Sequence, residues 1–244
     1  GTWVLKTIGD PDAVIAHEQA IAPSVDHWLA RELRLYWQRV FKRLDLSARS
    51  IVALIEPGSA FAGMLAELAF AADRTYMLEG TWDDADDDRA DLAPATLTLT
   101  AANVSAGAPD GPGWFPMSNG ISRLQTRFWG RPEPLAAAAD LVPKPLEAAD
   151  AERAELITFA PDDIDWDDEI RLFLEERASF SPDALTGMEA NYRFVGPETM
   201  ETKIFARLSA WQNWIFQRPN AVGPDGALRR FGTGSRPAYQ HERV

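Results

Sequence analysis

The 244-residue sequence contains no cysteine, which removes disulfide frameworks, thiolate zinc sites and cysteine nucleophiles from consideration. That absence fits a cytoplasmic protein. No apolar run reaches the length of a membrane span, and no basic segment followed by an apolar one opens the chain. Neither a membrane anchor nor a secretory leader is therefore expected. Basic residues are in the minority, with 24 Lys and Arg against 37 Asp and Glu and a net charge of −13. Phosphate backbones and anionic membranes need clustered cations, so nucleic acid and membranes are not expected partners. One anionic group could still be held locally, because a helix N-terminus binds a phosphate or oxyanion even on an acidic protein. Histidine occurs only as His17, His27 and His241. These lack metal-ligand spacing, so surface or capping roles are expected, and no metal.

What is present suits a globular domain. Hydrophobic residues make up 46%, enough for one sizeable core with a helical appendage. The chain opens on Gly1–Thr2–Trp3 and runs straight into WVLKT without a methionine, so it reads as a piece of something longer. Trp3–Thr7, the continuous apolar run Ile51–Ile55, Thr75–Leu78 and the alternating Thr96–Thr100 are predicted strands. A helix is predicted from an N-cap at Ser24 to about Leu44, with Leu29, Leu33, Tyr36/Trp37, Val40 and Leu44 at helical spacing. A second covers Ala62–Ala72. Further helices are predicted over Gly120–Phe128, Glu147–Glu155, Asp167–Ala178, Ala184–Phe194 and Glu198–Phe216. The last would carry Met200, Ile204, Leu208, Trp211 and Ile215 on one face. From Pro219 onward, Gly and Pro predict irregular structure. Strands separated by helices imply parallel pairing and an α/β core over residues 1–145, with insertions near 79–95 and 106–113. Residues 146–244 would form a helical region and tail.

The stretch IVALIEPGSAFAGMLAELAFAAD, residues 51–73, carries the strongest signal. It reads as buried strand, glycine-containing turn and apolar helix with one carboxylate, Glu67. Such a unit aims backbone N–H groups at a ligand. It resembles the signature of the crotonase (enoyl-CoA hydratase/isomerase) superfamily, in which a strand runs into G-x-A-x-G-G-G-x-E-L-A-x-x-x-D. Gly58, Ala60 and Gly63 match the glycine-rich half, and Glu67, Leu68, Ala69 and Asp73 the helical half. The two halves are offset by one residue. PMSNGISRL (116–124), AADAERAELI (148–157), the Ser181–Pro182 step and Phe216–Phe231 resemble later landmarks in the same order. Other blocks are more specific, among them APDDIDWDDEIR and SPDALTGMEANYRF. They resemble the C-terminal half of a double-length member of the superfamily that opens oxygenated benzoyl-CoA rings.

The resemblance implies an α/β, crotonase-like fold lacking the first strands of the repeat, which would leave a sheet edge prone to association. It implies a parent enzyme that hydrolytically opens 2,3-epoxy- or dihydrodiol-benzoyl-CoA to a semialdehyde CoA thioester and formate. A CoA thioester as substrate, an N-terminal half of the same enzyme as partner, and a homo-oligomer are expected. No metal or redox cofactor is implied. Gly63 would supply the oxyanion N–H and Glu67 the acid/base. The structural alternative is that Gly63 permits close packing and Glu67 makes a structural hydrogen bond. The superfamily's second carboxylate falls at Ala101 in TAANVS (100–105), and the usual first oxyanion segment is replaced by GDPDAVIAHEQ (9–19). Chemistry in this half is thus expected to be incomplete. A non-catalytic acyl-CoA-binding or dimerisation module, and a standalone hydratase or isomerase using Glu67 alone, remain open alternatives.

Other features point away from separate sites. The acidic run Asp83–Asp88 lacks the glycine and distal glutamate of a calcium loop and reads as a solvated insertion. Asp162–Glu169 reads as the acidic start of a helix. Trp211, Trp214 and Phe216 could line a benzoyl pocket, but such a stripe is more often packing. Ser59 and Ser122 have no His–Asp partnership in view, so a serine hydrolase is not supported.

Overall fold

The computed structural model of the protein describes residues 1–83, 91–104 and 111–240. The acidic run from 84 onward, most of the 106–113 loop and His241 lie outside these residues. The chain divides into two compact units, one of residues 4–45 and 51–170, the other of residues 1–3, 46–50 and 171–244.

The larger unit is built on residues 51–55 of strand β2 (Ser50–Ile55), a strand of which every residue is buried. An uninterrupted apolar run forms a strand of this kind only when both faces are covered. It lies between β1 (Thr2–Leu5) and β3 (Arg74–Met77). β2 and β3 run parallel, with Val52 opposite Arg74 and Ile55 opposite Met77. Helix α3 (Gly63–Phe70) makes the crossover between them, as parallel neighbours require. Its inner face puts Ala66, Ala69 and Phe70 into a core with Ala53, Ile55, Phe61 and Met77.

The predicted strand at Thr96–Thr100 is shorter and pairs differently. Only β4 (Leu97–Thr98) is strand, and its ladder is antiparallel, to β5 (Pro145–Leu146). The cause is local: the Thr100 N–H donates to Asn103 Oδ1 at 3.0 Å, and the chain turns there instead of extending. α4 (Arg123–Arg127) falls within the helix predicted over Gly120–Phe128, and it is followed by α5 (Pro132–Asp140), where the sequence pattern predicts no element, and by α6 (Ala148–Arg153). Leu146, Ala148, Ala151, Leu156 and Ile157 join the same core as Ile55 and Phe61. The compact unit accordingly continues to residue 170, past the boundary drawn after 145.

The N-terminal segment also differs. Asp10 caps helix α1 (Pro11–Ile21), its side chain accepting the Asp12 N–H at 2.9 Å, and Pro11 takes the first turn. Pro in the first turn costs no intrahelical bond. Sequence reading saw only the break at Gly9–Pro11. A short 3₁₀ turn, Ala22–Ser24, separates α1 from α2 (Trp28–Asp45). Ser24 is therefore not the cap of α2; instead His27 Nδ1 accepts the Leu29 N–H at 3.3 Å. Leu29, Leu33 and Tyr36, predicted to be inward-facing, are exposed, whereas Phe41 and Asp45 are fully buried. Phe41 stacks on Trp37 at 5.6 Å and meets Phe115 edge-on at 5.1 Å.

Helix α7 (Asp163–Ser179) begins on the acidic run, where Asp162 Oδ1 accepts the Asp165 N–H at 3.0 Å. The smaller unit contains α8 (Pro182–Tyr192), which approaches α9 (Ser209–Ile215) at Gly187. An added Cβ on Gly187 would lie 2.9 Å from Ile215 Cδ1 and 3.7 Å from Trp211 Cβ, so the missing side chain sets the helix spacing. The long helix predicted over Glu198–Phe216 is interrupted by a π-helical stretch, Thr202–Leu208. Met200, Ile204 and Leu208 are exposed. Trp211 and Trp214 pack edge to face at 5.4 Å, and Arg218 covers Trp214 at 4.8 Å. Two short helices, α10 (Pro219–Val222) and α11 (Ala227–Arg230), occupy the segment expected to be irregular.

Within this unit Glu189 is buried and accepts from Ser50 Oγ at 2.6 Å and Arg177 Nη2 at 2.7 Å. Replacing it with glutamine keeps the shape but removes the charge that two arginines share. Glu189→Gln is expected to cost about 2 kcal/mol, the scale of a charged hydrogen bond. The urea midpoint checks this, and an unchanged midpoint would rule it out. Among the described residues no helix is long and apolar enough to cross a membrane.

Candidate active site

β2 delivers the chain into the turn 56–62, and the turn delivers Gly63 to the start of α3. Two hydrogen bonds tie this turn to the segment before α1. The Ala60 N–H donates to Thr7 Oγ1 at 2.9 Å, and the Gly9 N–H donates to the Gly58 carbonyl at 3.1 Å. They fix α1 against the turn, and α1 carries Glu18.

Gly63 has φ +46°, in the left-handed region where a side chain is strained. Ala62, at the cap position, offers α3 no side-chain acceptor. Glu18 takes that role from another helix. Its Oε1 accepts the Met64 N–H, and its Oε2 accepts the Thr100 hydroxyl at 2.6 Å. The carboxylate lies directly over Gly63, where an added Cβ would be 2.6 Å from Oε2 and closer still to Oε1. It rests where backbone N–H groups and the helix dipole favour negative charge. The donors to Glu18 are neutral, however, and the side chain is buried. Burial pushes its pKa above the ordinary glutamate value, against the pull of Thr100 and Met64, and the charge on Glu67 adds to the rise.

Glu67 stands one turn further along α3 and is 2% exposed. Its Oε1 accepts from Asn103 Nδ2 at 2.8 Å, and its Oε2 from Arg123 Nη1 at 2.7 Å. Asn103 Nδ2 also donates to the Gly63 carbonyl at 2.9 Å. Arg123 Nε and Nη2 grip Asp45 at 3.0 and 2.7 Å, and Nη1 also reaches the Phe115 carbonyl at 3.0 Å. The guanidinium lies 5.5 Å from the Phe41 ring centroid. Burial raises the Glu67 pKa, Arg123 and Asn103 oppose it, and Asp45 contributes to the rise. Both Glu67 oxygens are thus committed to protein donors. A general acid or base needs an oxygen within hydrogen-bond reach of the reacting proton.

The structure therefore brings Gly63 and Glu67 together on one helix and surrounds each with residues that sequence reasoning missed. Glu18 could have been found: Asp10–Pro11 is a helix-start signal, and Val14, Glu18 and Ile21 share one face, so a carboxylate interrupts an apolar stripe. Asp45 and Asn103 gave no signal as site residues, because their partners there, Arg123 for Asp45 and Glu67 for Asn103, are distant in sequence. Ala101, at the superfamily's second-carboxylate position, is exposed in the turn after β4.

Of the serines considered from sequence, Ser59 is buried and its hydroxyl has no hydrogen-bond partner among the described residues, whereas Ser122 has a structural role. Ser122 forms a capping box with Gln125, its Oγ accepting the Gln125 N–H at 3.0 Å. An open cleft lined by Arg127, Arg131, Glu155 and Thr158 has its cations engaged: Arg131 forks onto Glu155 at 2.6 and 2.7 Å, and Arg127 Nε donates to the Glu155 carbonyl. Among the described residues no group of three His, Asp or Glu could hold a metal ion.

Comparison with known proteins supplies what geometry alone cannot. No family profile matches the chain. Benzoyl-CoA-dihydrodiol lyase from Aromatoleum evansii is 47% identical over all 244 residues, and the chain spans 41% of that relative's length. Among solved structures, an enoyl-CoA hydratase from Polaromonas superposes with a TM-score of 0.62 at 14% identity, covering 98% of this chain and 82% of that one. An enoyl-CoA hydratase from Geobacillus kaustophilus gives 0.61 at 15% identity, covering 89% and 71%. At such identities the superpositions establish the fold alone. The chain has the crotonase, or enoyl-CoA hydratase-like, fold, and along its whole length it is similar to a stretch of benzoyl-CoA-dihydrodiol lyase.

Proposed function

We propose that the chain is the C-terminal, crotonase-like half of a benzoyl-CoA-dihydrodiol lyase, and that it scaffolds and closes the catalytic half without being sufficient alone. The parent reaction would be hydrolytic opening of an oxygenated benzoyl-CoA ring to a semialdehyde CoA thioester and formate. The CoA thioester is the substrate, and the reading calls for no resident metal or redox cofactor. An N-terminal half of the same enzyme, a homo-oligomeric assembly and a cytoplasmic location complete the proposal.

One observation carries the scaffolding part: both candidate chemical groups are already occupied. Glu18 covers Gly63, and Asn103 with Arg123 takes both oxygens of Glu67. A thioester oxygen would have to displace a buried carboxylate, and a proton transfer would have to break a buried ion pair. Gly63 as oxyanion donor and Glu67 as acid/base would each require that rearrangement.

Calorimetric titration of the folded chain with benzoyl-CoA tests the proposal. No saturable heat is expected. In the full-length enzyme, Glu67→Gln is expected to leave kcat within about twofold per folded molecule, a difference of only a few tenths of a kcal/mol. Saturable binding that Gly63→Val abolishes, together with a large kcat loss in Glu67→Gln, would instead support a half with chemistry of its own.

A further inference from the structure

We propose that Glu18 is an intramolecular plug: its carboxylate occupies a preformed oxyanion site, so that the chain is its own ligand there. Three independent features converge on those two oxygens. The first is the start of α3, where the Met64 N–H donates to Oε1. The second is a hydroxyl from a different element, Thr100 Oγ1, at 2.6 Å from Oε2. The third is Gly63, whose lack of a side chain is what lets a planar group lie over the backbone. A carboxylate held by a helix N-terminus and one hydroxyl is the arrangement expected of a bound small carboxylate or a thioester oxygen.

The plug is built, not adventitious. Glu18 is 5% exposed on a helix that Thr7 and Gly9 anchor to the β2–α3 turn. It is the one residue of α1 that is fully buried. A glutamate there serves no apolar packing purpose, since a leucine would cover α1's inner face at no desolvation cost. What a leucine could not do is satisfy the Met64 N–H and the Thr100 hydroxyl.

It follows that removing the carboxylate should leave a site selective for oxygen anions small enough to enter. Formate and acetate are the direct probes, with chloride at equal ionic strength as control. In Glu18→Ala, acetate is expected to shift the Met64 amide resonance saturably and raise the melting temperature. In the wild-type chain neither effect should appear. Thr100→Val in the Glu18→Ala background should weaken the acetate response several-fold by deleting one donor.

A folded Glu18→Ala whose Met64 amide is indifferent to acetate would overturn the proposal. So would wild-type protein that binds acetate at that amide. Should Glu18→Ala not fold, the wild-type chain still decides. The Met64 amide shift should titrate with Glu18, with a midpoint above the ordinary glutamate range, and lose that titration in Glu18→Gln. A Met64 shift that is flat with pH in wild type would refute the contact. The proposal stands on the α3 turn and not on the lyase reading, because acetate reports on the site whatever the parent reaction is.

Discussion

Arg123→Met is expected to be the most damaging single substitution in the larger unit, costing about 5 kcal/mol. Two buried carboxylates depend on this one cation. Asp45 takes Nε and Nη2, and Glu67 takes Nη1, with the side chains of all three 3% exposed or less. Removing one partner of a buried pair leaves the other charge without solvent or counter-ion, and here it leaves two such charges. In a chain of this size the loss corresponds to a fall of roughly 10–20 °C in melting temperature.

Arg123→Lys should be intermediate, because an ammonium cannot fork onto Asp45 and still reach Glu67. The triple variant Arg123→Met/Asp45→Asn/Glu67→Gln is expected to recover most of the loss, since no buried charge then remains uncompensated. The pH dependence has a definite sign. In Arg123→Met, Glu67 loses the group that lowers its pKa, while burial still raises it. Its neutral form is then favoured in the fold, and its part of the deficit is smallest at acid pH. That part grows as pH rises through the ordinary carboxylate range toward the raised folded value. Melting curves of the single and triple variants at acid and neutral pH check this. A triple variant no more stable than the single one would show that the charges are not what Arg123 serves.

Much of the fold was legible in the sequence because its determinants are local. Ile51–Ile55 has the composition of a doubly covered strand, and Ala62–Ala72 the spacing of a short core helix. Both formed, and the parallel pairing of the strand with Arg74–Met77 follows from the helical crossover. Elements were misread where a distant partner decided the outcome. The outward face of α2 carries Leu29, Leu33 and Tyr36, which match helical periodicity as well as Trp37, Phe41 and Leu44 do. Only the presence of Phe115 and Arg123 selects the second set. Thr96–Thr100 alternates like a strand, yet side-chain bonds from Asn103 and Glu18 end it early.

The site divides in the same way. Gly63 and Glu67 stood out because a motif marks them. What surrounds them came from residues separated by tens of positions: Glu18 is 46 residues from Met64, and Arg123 is 56 from Glu67. Single-sequence spacing carries no information about contacts of that range. The resemblance to the crotonase signature sets Ala101 at the second-carboxylate position, and a site whose groups are all internally satisfied is consistent with an alanine there.

The Gly63–Glu18 contact makes the last prediction, and its form is a coupling. Gly63→Ala in the wild-type chain should cost about 4 kcal/mol from two sources. A side chain at φ +46° is strained by about 1–2 kcal/mol. The larger part comes from driving the Glu18 carboxylate off the Met64 N–H and the Thr100 hydroxyl, which strands buried polar groups at about 1–3 kcal/mol. Glu18→Ala alone should already cost about 2 kcal/mol by the same loss of donors. In that background Gly63→Ala has nothing left to displace, so only the backbone strain should remain. The two substitutions together are therefore expected to be about 2 kcal/mol less harmful than their sum, within the range of residues in direct contact. Urea midpoints of the four proteins in the cycle measure it. Additivity within about 0.5 kcal/mol would mean that Glu18 does not rest on Gly63 in solution. Full coupling would mean that the glycine is retained to make room for a carboxylate supplied by the protein itself.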